Sequence, residues 1–459
     1  MSTMEEKLAT VSRSTAVALV TRPQKKAKIT ESDAIPVREV EVVSDVEKRH
    51  DAQTKKKAKK PEAFFTAASS VRQVAGAVVD GEVLFGFLSA ADKVVPANKS
   101  MPILSSVKLS MEPASDKLFI EAASASLWTV VAMKASSNSP DGFSAMVPAR
   151  LARNASNAAR HGKKETALGV SEGGFWIGEH CMPSGGKVQD FPPRPLTRAW
   201  EARAVVPAFY FEEICARILS ASSKDPTKIG FGGVLLDFSL DLARNLTCTA
   251  VGSDGSRLHL LELPQMKIQP RGKQTPPGLM IPEQFFRYLR TVANREWTAL
   301  EISETQVSAR GEDYQAVADS VMKGVTGTKG LENWRAVNVD HRGHWAVDRK
   351  ELEGVLRKVI DAGHKDEIEI RIDSIKEQMR IVSRDSDQRE STATTGARRF
   401  DGPTSVDVAV DVNFLLAAVV ACRGGLVRLG FASAKEQGSS PMTIRGEDDQ
   451  FKAIVMPIG

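Results

Sequence analysis

The sequence predicts an α+β protein built from three tandem copies of one helix-and-strand unit, with helices covering one face of each sheet. Three observations carry this. Alternating strand patterns and helical apolar stripes recur in the same order three times between about residue 70 and the end. Equivalent turn positions fall at Ser124, Asp254 and Asp385, 130 and 131 residues apart. Second helices begin at Pro148, Pro282 and Val412, 134 and 130 residues apart. A period this long marks a repeated domain rather than a solenoid, whose periods are roughly 20–50 residues.

In the first copy, residues 83–95 read as a helix and 101–111 as the approach to a strand. A strand pair is expected over 117–134, a helix over 145–162 with Pro148 at its first position, and a hairpin over 168–182. The second copy starts with a helix over 205–222. Its stripe is Phe211, Ile214, Cys215, Ile218 and Leu219. Strands follow at 233–240, 246–251 and 258–263, then a helix over 279–295 and strands at 300–310 and 314–323. The third begins with a helix over 348–364, opened by an Asp348/Glu351 capping box and closed by Gly363. Strands at 367–374 and 379–386, a strand running into a helix over 405–425 and strands at 441–447 and 451–459 complete it.

The most informative stretch is 252–260, Gly-Ser-Asp-Gly-Ser-Arg-Leu-His-Leu. Ser-Asp-Gly-Ser is turn chemistry between two strands, because Asp and Ser bond local backbone and Gly tolerates positive φ. Asp254 is therefore expected in a turn. A hydrolase centred on it lacks a suitably placed His or Lys.

Composition narrows the function classes. A hydrophobic content of 42% with 26% charged residues is that of a soluble globular protein. No apolar run approaches the length of a membrane span and no secretory leader is evident. Cys181, Cys215, Cys248 and Cys422 are dispersed, which argues against a zinc site or disulfide framework and for a reducing compartment. Phosphate-loop, nucleophile-elbow, metalloprotease and calcium-loop motifs are absent, so no catalytic residue, metal or cofactor is expected. Of the net charge of +5, residues 1–65 contribute +4, from 14 basic and 10 acidic side chains. The body is nearly neutral, so any nucleic-acid contact must come from local arrangement. Residues 1–68 read as a disordered basic extension. Its runs at 22–29 and 55–60 suit a nucleic-acid arm, a nuclear-import signal or a solvated tail.

Helix surfaces supply that local arrangement. Arg287 and Arg290 lie opposite Phe286, Leu289 and Val292; Arg153 and Arg160 oppose Leu151 and Ala155; Arg357, Lys358 and Arg217 lie off their stripes. Any one such face is commonly just solvated. Recurrence in every copy suits a non-specific phosphate-facing surface. No basic groove interleaved with aromatics, of the single-strand-binding kind, is evident.

Six segments in order resemble the bacterial DNA sliding clamp family, the β subunit of the replicative DNA polymerase: 101–109, 146–151, 190–195, 224–236, 252–260 and 454–459. The resemblance spans about 75–459. It implies clamp domains at 69–198, 199–335 and 336–459, and a head-to-tail homodimer ring around double-stranded DNA. It implies a non-catalytic processivity factor that tethers a DNA polymerase, is loaded by an ATP-dependent clamp loader, and is cytoplasmic and nucleoid-associated with no membrane partner. It makes the basic helix faces, with Lys99 and Lys228, the DNA-facing set. It also implies a partner-peptide groove from Ser253, Gly255, Ser256, Arg257 and Leu258, Val337 of the linker, and Ile454, Met456, Pro457 and Ile458. The bland alternative for the terminal run is an edge strand. The rival function is a clamp-like scaffold or decoy that binds such peptides without loading on DNA. Ser256, Glu332, the pair Asn98-Lys99 and the pair Glu283-Gln284 depart from the family pattern, while Lys228 keeps its basic position.

Overall fold

Each of the three copies opens with a strand that turns directly into a helix: β1 (Ala75–Asp80) into α1 (Gly81–Val94), β9 (Ala202–Pro207) into α3 (Phe209–Glu213), and β18 (His344–Asp348) into α6 (Arg349–Asp361). A computed structural model describes residues 75–458. Outside the described set lie 1–74, 97–101, 138–140, 162–163, 273–274, 294–296, 323–330, 342–343, 364–366, 385–389, 434–435 and single positions 114, 226, 402, 437, 449 and 459. The expected N-terminal extension and Lys99 fall there. All described residues belong to one compact unit.

A three-strand meander follows in each copy. These are β2 (Ser106–Met111), β3 (Lys117–Ala123) and β4 (Leu127–Ser137); β10 (Gly233–Leu240), β11 (Leu246–Ser253) and β12 (Arg257–Glu262); and β19 (Glu367–Asp373), β20 (Gln378–Arg384) and β21 (Glu390–Gly396). A strand then leads into the second helix: β5 (Phe143–Pro148) into α2 (Ala149–Arg160), β14 (Leu279–Pro282) into α4 (Glu283–Val292), and β23 (Ser405–Asp411) into α7 (Val412–Ala421). A closing meander ends each copy: β6 (Glu165–Ser171), β7 (Gly174–Ile177) and β8 (His180–Met182); β15 (Trp297–Ile302), β16 (Gln306–Arg310) and β17 (Tyr314–Asp319); β24 (Leu426–Gly430), β25 (Met442–Arg445) and β26 (Phe451–Val455). Short β13 (Lys267–Pro270) and β22 (Arg398–Arg399) do in the later copies what the far half of β4 does in the first. They pair with the opening strand.

Local chemistry sets these elements. Asp80, Asp348 and Asp411 each end a strand and cap a helix, their carboxylates accepting backbone N–H groups of the first turn at 2.7–3.2 Å. Pro148 and Pro282 are the last strand residues, one position before the helix, rather than its first residues. Gly363 stops α6 with φ +93°, the left-handed conformation a side chain resists. The helix expected over 205–222 starts only at 209, because 202–207 alternates buried Ala202, Ala204 and Val206 with outward residues as a strand does. Likewise 279–282 is strand.

The copies are joined edge to edge. β17 of the second pairs antiparallel with β4 of the first, Ala318 opposite Leu127. β26 of the third pairs with β12 of the second, Val455 opposite Arg257. The helices form one row in the order α2, α1, α4, α3, α7, α6, the turn Ile214–Ile218 that continues α3 making the contact with α7. Between copies, Tyr288 donates to the Val130 carbonyl at 3.1 Å and Lys93 Nζ to Thr291 Oγ1 at 2.7 Å. Between the sheets and this helix row lies a continuous apolar core, with Trp345, Tyr210, Tyr288 and Phe285 among its largest members.

Candidate partner groove and nucleic-acid face

The turn between β11 and β12 is built by its own side chains. Asp254 Oδ1 accepts the N–H groups of Ser256 and Arg257 at 3.0 and 3.2 Å, and Oδ2 accepts Arg257 Nε at 2.9 Å. Ser253 Oγ accepts the Gly255 N–H at 3.1 Å and donates to the Arg257 carbonyl. Gly255 takes φ +97°. Asp254 is thus fully engaged as a turn residue.

Alternation then divides the flanking strands between two faces. Leu258 and Ile454 are register partners on the face away from the helices, where they cluster with Leu235, Val251, Leu260 and Met280. The linker between the second and third copies covers this cluster with Leu331 and Trp334. Trp334 Nε1 donates to Asp237 Oδ2 at 2.7 Å, and Arg335 pairs with the same oxygen at 2.5 Å. Lys452, on the same face, donates to the Val339 carbonyl. Burial, then the nearby Arg445 charge, lowers its pKa although Asp340 opposes them. Val337 follows on the short helix α5 (Trp334–Val337) and is 46% exposed. Beyond β26, Met456 and Ile458 are 38% and 41% exposed. Their N–H groups bond the carbonyls of Ser256 and Ala409 at 3.0 and 2.9 Å. Pro457 is half-buried between them.

The expected groove residues therefore divide by role. Leu258 and Ile454 belong to a buried floor, Ser253, Gly255 and Ser256 shape the turn, and Val337, Met456 and Ile458 are the exposed apolar members. Arg257 goes elsewhere. The pleat turns it to the helix side, where its guanidinium lies 4.4 Å from the centroid of the Phe414 ring. Trp334, Leu235 and Met280 were missed as floor and cover residues. The signal for Leu235 was its place in the apolar strand β10, and for Trp334 an aromatic in the linker; Met280 sits on β14, within a stretch read as helix.

The basic helix faces are largely satisfied within the chain. Arg153 pairs with Asp92, Arg160 with Glu82 at 2.8 Å, Arg287 with Glu283 at 3.2 Å and Arg357 with Glu353 at 2.8 Å. Arg290 and Lys358 are exposed, as is Arg150 at the start of α2, which the sequence reading overlooked. Lys228 sits not on the helix row but beside the 253–257 turn, donating to the Asp254 carbonyl at 3.1 Å. At the α1–α4 seam, burial and then the charges of Arg290 and Arg287 lower the Lys93 pKa, which marks a concentration of positive charge.

Arg217 corrects the expected surface set: it is 2% exposed. After α3 the chain winds as a π turn over Ile214–Ile218, with the Leu219 N–H reaching back to the Ile214 carbonyl. This wider turn breaks the 3.6-residue phase on which the outward assignment rested. Arg217 points into the junction of the second and third copies. It pairs with Glu213 at 3.0 Å and Asp448 at 2.6 Å and lies 4.5 Å from the Phe451 ring centroid. Its carbonyl bonds His259 Nδ1 at 2.6 Å. Burial opposes ionisation of Glu213, but hydrogen bonds from Arg423 and Arg217 outweigh it and hold its pKa low. Burial pushes the His259 pKa down to about 4, so the ring is neutral.

No protein-family model and no curated protein matches this sequence. Solved structures do. The DNA polymerase III β subunit of Thermotoga maritima superposes with a TM-score of 0.70 at 17% identity, over 84% of this chain and 99% of that one. The sliding clamp of Bartonella birtlesii bound to griselimycin gives 0.68 at 18%, over 84% and 100%. The β subunit of Pseudomonas aeruginosa gives 0.67 at 16%, over 83% and 99%. With the thrice-repeated strand order and single helix row, these similarities establish that the chain has the sliding-clamp fold.

Proposed function

We propose that this chain is a DNA sliding clamp: a non-catalytic, head-to-tail homodimer, of three domains per chain with boundaries near 198 and 335. On this reading it encircles duplex DNA and tethers a polymerase after opening by an ATP-dependent loader. The observation that carries the reading is the logic of the two internal junctions. At each, the last strand of one copy (β17, β26) pairs with the third meander strand of the copy before it (β4, β12). The corresponding strands left over are β8 of the first copy and β21 of the third. Pairing β8 of one chain with β21 of a second, twice, closes the set under a two-fold axis, the commonest symmetry of homo-oligomers.

Light scattering on the eluting protein tests the assembly: a mass of twice 49.8 kDa is expected, and a monomer at micromolar concentration contradicts it. Loading onto nicked circular DNA followed by linearisation tests encirclement. Release from the linear form is expected, and retention contradicts free sliding.

The intrachain pairing of Arg153, Arg160, Arg287 and Arg357 favours a second reading, a scaffold that binds clamp-seeking peptides without loading on DNA. A dimer that binds such peptides yet is never retained on nicked circles supports that reading instead.

A further inference from the structure

We propose that the solvent face of the second copy's closing sheet binds single-stranded nucleic acid, with Trp200 and Trp297 as stacking platforms and Arg203, Lys267 and Arg271 as phosphate contacts. The proposal does not depend on the sliding-clamp reading.

The six tryptophans of the chain separate cleanly. Trp128, Trp176, Trp334 and Trp345 are buried at 8% exposure or less. Of the remaining two, Trp297 lies on this sheet and Trp200, half-buried, lies in the segment that leads into β9. Trp297 is 47% exposed, on the first residue of an edge-proximal strand where no core requires an indole. Both carry cations on their rings. Arg203 lies 4.3 Å and Arg271 5.5 Å from the Trp200 centroid, and Lys267 lies 5.3 Å from that of Trp297.

Register explains the convergence. Trp297 stands opposite Pro207 on β9, Ala299 opposite Val205, and Glu301 opposite Arg203. On the other side of β9, Lys267 stands opposite Val205 and Gln269 opposite Arg203. The alternating partners Ala202, Ala204, Val206, Thr298, Leu300 and Ile302 are buried, so the named side chains share the outer face. Arg271 continues the row, its N–H bonded to the Glu201 carbonyl at 2.7 Å. Trp200 lies against Arg203 near one end of β9 and Trp297 opposite Pro207 at the other, and the strand from 203 to 207 spans about 13 Å at 3.3 Å per residue. A strand of bases spans that interval with phosphates over Lys267 and Arg203.

The chemistry favours this occupant over an acidic peptide. Glu301 pairs with Arg203 at 2.9 Å and Glu201 flanks the row, so the net positive charge is small. Charge alone attracts polyanions weakly here. The exposed Trp297 indole beside Lys267 and the half-buried Trp200 indole beside Arg203 and Arg271 add stacking, which every base accepts and a carboxylate side chain does not. A flat sheet face also offers no element to enter a duplex groove.

The test uses the full-length chain and fluorescein-labelled oligothymidylate, with an unlabelled oligomer for tryptophan emission. Binding is expected to quench tryptophan emission. The double variant Trp200→Ala/Trp297→Ala is expected to abolish the quench and weaken binding about tenfold or more. The Trp→Phe pair, which keeps a stacking face, is expected to retain affinity within about threefold. Circular-dichroism melts establish that the variants are folded. Because every variant carries the same basic N-terminal segment, any contribution from it cancels. An Ala pair that binds like wild type overturns the proposal. So does equal affinity for the matching duplex, or displacement of the oligomer by polyglutamate at equal charge concentration.

Discussion

Arg217 and His259 show how much one turn of helix decides. A buried guanidinium held by two carboxylates and an aromatic ring is costly to orphan. Arg217→Met leaves Asp448 and Glu213 without that partner and is expected to destabilise the protein by about 3–5 kcal/mol in urea unfolding. An unchanged midpoint contradicts the buried pairing. His259 makes the same site acid-sensitive. Its folded pKa of about 4 lies below its ordinary value of 6.5. Unfolded chains therefore take up the proton first, and stability present above pH 6.5 is lost as pH falls toward 4, by up to about 3 kcal/mol. His259→Gln is expected to flatten the urea midpoint across that window. The low-held carboxylate of Glu213 acts only at lower pH, since its ordinary value is 4.5. In the groove, Met456→Ala/Ile458→Ala is expected to weaken a clamp-motif peptide about tenfold or more while leaving the melting temperature within a few degrees. Unchanged affinity refutes the assignment. Leu258 and Ile454 are unsuitable probes because both are core residues.

At the scale of elements, most helices and meander strands were legible because the apolar period changes from two to about 3.6 where strand gives way to helix. The opening strands β1, β9 and β18 were not. β1 and β18 run straight into their helices and β9 is separated from its helix by Ala208 alone, so 205–207 extended the helical stripe of 211–219. β21 was missed for the opposite reason: Glu390–Gly396 is polar apart from Ala393 and Gly396, as befits a strand paired on one side only, with β20. Of the candidate site, the turn chemistry of 253–257 was readable because it is local. The linker cover, the π-turn displacement of Arg217 and the Trp200–Trp297 face were not, since each depends on residues brought together by register. The capping aspartates give a direct test. Asp411→Ala removes the acceptor for Asn413 and Phe414 N–H and is expected to cost about 1 kcal/mol, read as a shift in the urea midpoint.

The whole molecule is held by backbone hydrogen bonds that pass from copy to copy without interruption at β17–β4 and β26–β12. On the proposed reading, one more seam of this kind closes the ring. Introducing proline at Cys181 in β8 is expected to shift the light-scattering mass from dimer toward monomer, since a proline removes a donor and bars regular pairing. A dimer that survives unchanged places the closure elsewhere.

The lengths of the strands then acquire a mechanical meaning. The internal seams offer five paired positions each, whereas β8 contributes only three residues. Load spread around the circumference reaches its yield point first where the fewest bonds share it. On the proposed ring, the chain would carry its own latch: two strong welds per protomer and one weak clasp. On that proposal, a loader that pries the ring apart would meet least resistance at the clasp, with the folded protomers left intact on either side.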